Sequence, residues 1–222
     1  MERTAIEIEK VSELRLRLQS FGATDTDMTE EQQEKAAELE KLSDTAILRF
    51  LRGRKHDDNK AYRALLRYLS WRQEEDADGI TKEMFPRELR ARKLVPGDFR
   101  DKEGRPVLFV VANRHVSSDR DINEMKKFII FHLDFTMKRT RSGEEKLVLA
   151  IDLASFTMAC MDYEVLKMLI EILQFNYPEV LQVALVLNAP FIFSACWLII
   201  RVRKRKKGKK KRKRKERELI SI

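Results

Sequence analysis

Three short apolar runs, at 107–111, 147–153 and 183–187, alternate with two stretches of helical periodicity, and this alternation narrows the available folds more than any other feature. Runs of that length, rich in Val and Leu, read as strands buried on both faces. Between the first two, Ile122, Met125, Ile129, Leu133 and Met137 recur at helical spacing across 121–138, and 162–175 is helical again. Strands joined by helices of this length need right-handed crossovers and so form a mainly parallel sheet. Both faces of such a sheet must be covered, by helices or by a ligand. The expected class is α/β.

A helical module is expected ahead of the sheet, over residues 1–78. Ile8, Val11, Leu14, Leu18 and Phe21 mark a first helix that Gly22 should stop. Thr29 can cap a second, with Glu30 and Glu31 in its first turn where the helix dipole favours acids. Ser43 or Asp44 caps a third that runs through Leu51 and ends at Gly53. Asp57 or Asp58 caps a fourth, with Tyr62, Leu65, Leu66 and Leu69 on one face.

Charge is segregated along the chain. The formal net charge is +9, yet residues 201–222 hold 14 Lys/Arg against 2 acids. The first 200 residues are therefore mildly acidic, and body and tail call for separate functional readings. Cys160 and Cys196 sit among apolar neighbours and fit a reducing compartment. The charged N-terminus lacks an apolar signal core, so secretion is not expected.

Several chemistries are excluded by what the sequence lacks. None of the seven glycines falls at nucleotide-loop spacing. His56, His115 and His132 have no metal-ligand spacing to one another or to the cysteines, so they read as solvated or locally bonded. Ser194 and Cys196 lack a nucleophile elbow. Asp152 ends a strand, where open α/β sheets place site residues, but a single carboxylate suits a turn cap better than catalysis. No enzyme activity, cofactor or metal is expected.

Four separated segments, in order, resemble the CRAL-TRIO family of phosphatidylinositol-transfer and retinal- or tocopherol-binding proteins. Ile47-Leu48-Arg49-Phe50-Leu51-Arg52-Gly53-Arg54-Lys55, followed by Asp57, Lys60-Ala61 and Trp71-Arg72, is similar to the family's N-terminal helical signature. Asp101-Lys102-Glu103-Gly104-Arg105-Pro106-Val107 resembles its strand entry, and Ile151-Asp152-Leu153 its D-L-x-G strand end. Tyr177-Pro178-Glu179 and the stretch from Leu187 to Trp197 resemble YPE…NAPWIFSAVW. Together they span about residues 43–200.

The resemblance implies a non-enzymatic lipid carrier whose sheet floors an apolar pocket over residues 79–200. It implies a wall of Phe109, Val111, Leu149, Ile151, Leu185, Phe191, Phe193 and Trp197. It also implies a phospholipid headgroup, phosphatidylinositol foremost, held by Arg54 and Glu179. Arginine offers paired donors in a plane to a phosphate, and a carboxylate accepts from inositol hydroxyls. Each buried CH₂ contributes about 0.8 kcal/mol, so the pocket must match the burial a bilayer provides. A cytoplasmic, peripherally membrane-associated monomer is expected.

The sequence departs from the family pattern in three places. Ser155 stands where members carry Gly, and His56 where they carry Phe. After Ile200 the usual K-P-F-L-D segment gives way to a basic run, so the pocket is expected to be incomplete at its C-terminal end, as an alternative or misread 3′ end would leave it. As a genuine polybasic tail, 201–217 would dock on anionic membrane at about 1 kcal/mol per Lys/Arg. The same composition would serve as a nuclear signal, but without interleaved aromatics nucleic-acid binding is not expected. Two other readings compete with the carrier: an interaction module without lipid, and a tail-anchored membrane helix through 183–200.

Overall fold

A computed structural model describes residues 3–23, 42–140 and 145–190. Met1–Leu187 form one compact unit. The expected helix at Thr29, the side chain of Phe21, the segment with Phe191, Phe193, Cys196 and Trp197, and the tail 201–222 lie outside the described residues.

Helix α1 (Ala5–Ala23), α2 (Asp44–Gly53) and α3 (Asp58–Glu74) pack around one apolar core that holds Val11, Leu14, Leu18, Phe50, Leu51 and Leu65. Caps set their starts. Ser43 Oγ accepts from Ala46 N at 3.1 Å and Asp57 Oδ1 from Lys60 N at 3.0 Å, each worth about 1 kcal/mol. Helix α1 differs from expectation at its start: Ile8 is 53% exposed and Glu7 is buried instead. The reason is electrostatic, because the Arg52 guanidinium grips both Glu7 carboxylate oxygens at 2.8 Å. Gly22 falls within the last turn of α1 and does not end it.

The second core lies against the sheet. After α4 (Pro86–Ala91) come β1 (Leu94–Arg100), β2 (Pro106–Val111), α5 (Ile122–Met137), β3 (Leu147–Asp152), α6 (Tyr163–Glu171) and β4 (Leu181–Leu187). Sheet order is β1-β2-β3-β4, with β2, β3 and β4 parallel as expected. Strand β1 was not legible in the sequence. It runs antiparallel at the edge, and its register slips between Pro96 and Arg100. Only an edge strand tolerates a proline and such an irregularity, and these two features disguise its pattern.

Strand β3 is buried from Leu147 to Ala150, but β4 is not the doubly buried strand expected: Leu185 is 42% and Leu187 40% exposed. It is the last strand of the described sheet and both crossover helices lie on one face. Because 183–187 is strand, the start of the membrane-helix alternative at 183–200 is overturned. No described helix is long and apolar enough to cross a membrane.

Trp71 packs against both cores. Its ring meets that of Tyr177 edge-on, with centroids 6.2 Å apart. The neighbouring Arg72 reaches Asp134 of α5 at 3.1 Å. Thus the Trp71-Arg72 pair joins the helical module to the sheet layer.

Candidate functional site

An apolar void of about 110 Å³ lies between the sheet and helices α5 and α6. Leu108, Val110, Leu147 and Leu149 floor it; Met125, Ile129 and Leu133 of α5 and Val165 and Leu169 of α6 enclose it. An apolar cavity of roughly 150 Å³ holds one benzene-sized guest, so this void is much smaller than a lipid.

Side-chain parity corrects the expected wall. Register pairs Leu108 with Leu149 and Val110 with Ile151, so these four share the face toward the void. Phe109 and Leu185 both pair with Ala150 and therefore point to the opposite face. Successive residues of a strand face opposite sides of the sheet, and the expected set mixed the two faces. Leu149 lines the void and Ile151 packs against its core. Val111, at the end of β2, reaches the rim.

At the amino ends of the strands, the end of α2 that carries Arg54 approaches the turn that carries Glu179. Arg54 caps α2 directly after Gly53, and a Cβ on Gly53 would stand 3.0 Å from Pro178 Cβ and 3.8 Å from Glu179 Cγ. The close approach of α2 to the Tyr177-Pro178-Glu179 turn thus depends on a residue without a side chain. Glu179 sits at φ 59°, a left-handed conformation costing a non-glycine residue about 1 kcal/mol or more. Tyr177 is buried beneath the turn, and burial together with nearby Asp134 raises its hydroxyl pKa well above the ordinary value.

The charges at this corner are uneven. Lys146, immediately before β3, bonds the Glu179 carbonyl and stands 3.6 Å from its carboxylate. Arg52 also feels Glu179, although its hydrogen bond to Glu7 is the larger influence raising its pKa. Arg54 is different: it is half-buried, no acid among the described residues pairs with it, and burial followed by the nearby Arg67 lowers its pKa. Lys146 and Arg52 were missed from sequence. Arg52 lies within the FLRxRK segment that drew attention to Arg54, whereas nothing local marks Lys146.

A separate polar group lines the void where β2 finishes. Lys93 and His115 are its only polar lining residues among those described. The Lys93 ammonium lies 2.7 Å from Glu88 Oε2, off the angle of a hydrogen bond, and Glu88 is wholly buried. Lys93 Nζ is also 3.2 Å from His115 Nδ1. An ammonium can only donate, so Nδ1 accepts and the imidazole proton sits on Nε2, which donates to Asp162 Oδ2 at 3.1 Å. Burial lowers the His115 pKa, with Asp162 opposing. Burial also opposes ionisation of Asp162, but the Val165 amide, Arg120 and His115 outweigh it and hold the carboxyl below its usual range.

The remaining candidates are structural. Asp152 Oδ1 accepts from Ala154 N at 2.9 Å, the turn cap its position suggested. In that turn Phe156 N bonds Leu153 O at 3.0 Å with Ser155 at φ 57°, a left-handed conformation that favours glycine. His132 is buried, its Nδ1 donates to Phe128 O at 2.8 Å, and burial lowers its pKa. No cluster of metal-ligating side chains occurs among the described residues.

The family model described as the CRAL/TRIO domain matches residues 93–212. A CRAL-TRIO domain-containing protein of Schizosaccharomyces pombe is 30% identical over 168 residues, covering 71% of this chain and 37% of that protein. Phosphatidylinositol transfer protein CSR1 of Eremothecium gossypii is 29% identical over 170 residues, covering 71% and 39%. The chain thus spans less than two-fifths of either of these relatives. The crystal structure of Sfh5 superposes with a TM-score of 0.63 at 16% identity, covering 91% of this chain and 77% of that one, and shares its α/β fold.

Proposed function

The chain belongs to the CRAL/TRIO domain family, and on that footing we propose that it binds a phospholipid, most specifically a phosphatidylinositol, and carries it between membranes. The headgroup lies at the corner of Arg54 and Glu179, and the acyl chains extend into the apolar space between sheet and helices. One observation carries this reading: Arg54 is partly desolvated and near the like charge of Arg67, and no acid among the described residues pairs with it. A phosphate would supply the missing charge in the planar geometry guanidinium favours. Lys55 and Arg67 are exposed beside it and enlarge the positive field. Glu179, in its left-handed turn, accepts from ring hydroxyls. The relatives named as phosphatidylinositol transfer proteins, CSR1 and PDR17 of Saccharomyces cerevisiae, support the same ligand class.

The carrier acts without chemistry on its cargo, as a monomer at cytoplasmic membrane surfaces. Residues 1–78 serve as the helical module and 79–200 as the lipid domain, while 201–217 add attraction to anionic lipid that salt screens.

Lipid extraction from the purified 222-residue chain, followed by mass spectrometry, tests the proposal. Phosphatidylinositol should be recovered from the wild type and fall at least fivefold in Arg54→Ala and Glu179→Ala. A folded but empty wild type would instead favour an interaction module, a reading that the small void also supports.

A further inference from the structure

A void of about 110 Å³ must enlarge before a hydrocarbon chain can enter it, and its walls differ sharply in how firmly they are held. The sheet is bonded on both sides of β3, which is buried from Leu147 to Ala150. Helix α5 buries Met125, Phe128, Ile129, Ile130, Leu133 and two polar residues. Helix α6 buries none of its nine residues, although Val165 and Leu169 line the void. Few buried contacts mean a low free energy of local opening.

The two ends of α6 are held in different ways. Its carboxyl end passes into a π turn, Ile172–Asn176, anchored by buried Ile172 and then Tyr177. Such turns widen the helical ladder and permit bending. Its amino end is fastened through the side chains of Asp162 and Glu164. Asp162 Oδ1 caps Val165 N at 3.0 Å, while Oδ2 accepts from His115 Nε2 at 3.1 Å and from Arg120 Nε. Arg120 also grips Glu164. His115 and Arg120 both lie on the connection between β2 and α5, so the fastening crosses from α6 to a separate element.

We propose that α6 is the movable wall of the void, pivoting at Ile172–Asn176 and latched at Asp162 by His115 and Arg120, and that a hydrocarbon guest enters beneath it. The guest rests on the lipid-carrier reading; the moving helix does not. The sheet and α5 stay fixed while α6 lifts, and the latch sets how often it does so. Guest entry and exit are both limited by this opening, so the latch governs rates more than affinity.

Hydrogen exchange of the lipid-free 222-residue chain, resolved by peptide, tests the helix directly. Amides of 163–171 should be at least 100-fold less protected than those of 125–136. Arg120→Met should lower α6 protection about tenfold further, as loss of charge-assisted bonds implies, and leave α5 unchanged. Equal protection of the two helices in the wild type would overturn the proposal without recourse to any variant, as would an equal loss in both in Arg120→Met. In a second arm, vesicles of phosphatidylcholine with a small fraction of pyrene-labelled phosphatidylinositol report uptake. Arg120→Met should speed uptake and release by similar factors; slower uptake would count against entry beneath α6. Absence of any uptake by a chain whose α6 opens as expected would remove the carrier reading and its guest, and leave the moving helix standing.

Discussion

The Tyr177 hydroxyl donates to Asp134 Oδ1 at 2.7 Å, and the other Asp134 oxygen accepts from Arg72 at 3.1 Å. One carboxylate on α5 thereby joins the turn that carries Glu179 to the helical module. Breaking a hydrogen-bonded charged network leaves the other partners unsatisfied, which costs more than the bond itself contributes. Asp134→Ala should therefore destabilise by about 2–3 kcal/mol and Tyr177→Phe by about 1 kcal/mol. Urea unfolding midpoints check both, and the double variant should fall short of the sum because the sites are in contact.

Ser155 occupies the third position of a turn that demands a left-handed backbone. Ser155→Gly should stabilise by about 1 kcal/mol, the relief of that backbone cost less the added freedom of the unfolded chain. A rise of a few degrees in Tm, with no change in bound lipid, is the expected result.

Glu179 has the same backbone strain but, in our proposal, a use for its side chain. Glu179→Gly should unfold at equal or higher urea concentration than the wild type, yet retain less phosphatidylinositol. A variant that loses both stability and lipid would show that the turn matters and the carboxylate does not.

Glu7 has its pKa lowered from 4.5 to about 2, chiefly by the Arg52 hydrogen bond. In the unfolded chain the carboxyl binds its proton near the ordinary value. The pair's stabilisation is thus complete above about pH 4.5 and is lost as pH falls toward 2. Glu7→Gln should flatten the dependence of stability on pH across that window, as read by urea midpoints at a series of pH values.

Two leucines on adjacent strands test the assignment of faces. Leu149→Ala, which enlarges an apolar void, should cost about 3 kcal/mol. Leu185→Ala, on the half-exposed opposite face, should cost less than about 1 kcal/mol. Similar losses at both sites would mean that the two faces are equally packed.

Much of this architecture was legible before folding was considered, because its signals are local. Ser43 and Asp57 cap their helices through bonds to amides three residues on, and the apolar runs became strands β2 to β4 where their composition placed them. The proposal that Arg54 and Glu179 share a headgroup rests on resemblance, since 124 positions separate the two residues in the chain and no local pattern links them. Tertiary structure decided the rest. An apolar run has two faces of equal greasiness, and only the right-handed crossovers through α5 and α6, both on one side of the sheet, determine that Leu149 meets the void and Leu185 does not. Likewise Glu7 displaces Ile8 from the interior because Arg52, 45 residues away, arrives there to pair with it. Local pattern specifies which elements form; which side each presents, and which charge it tolerates, depends on the elements that come to lie against it.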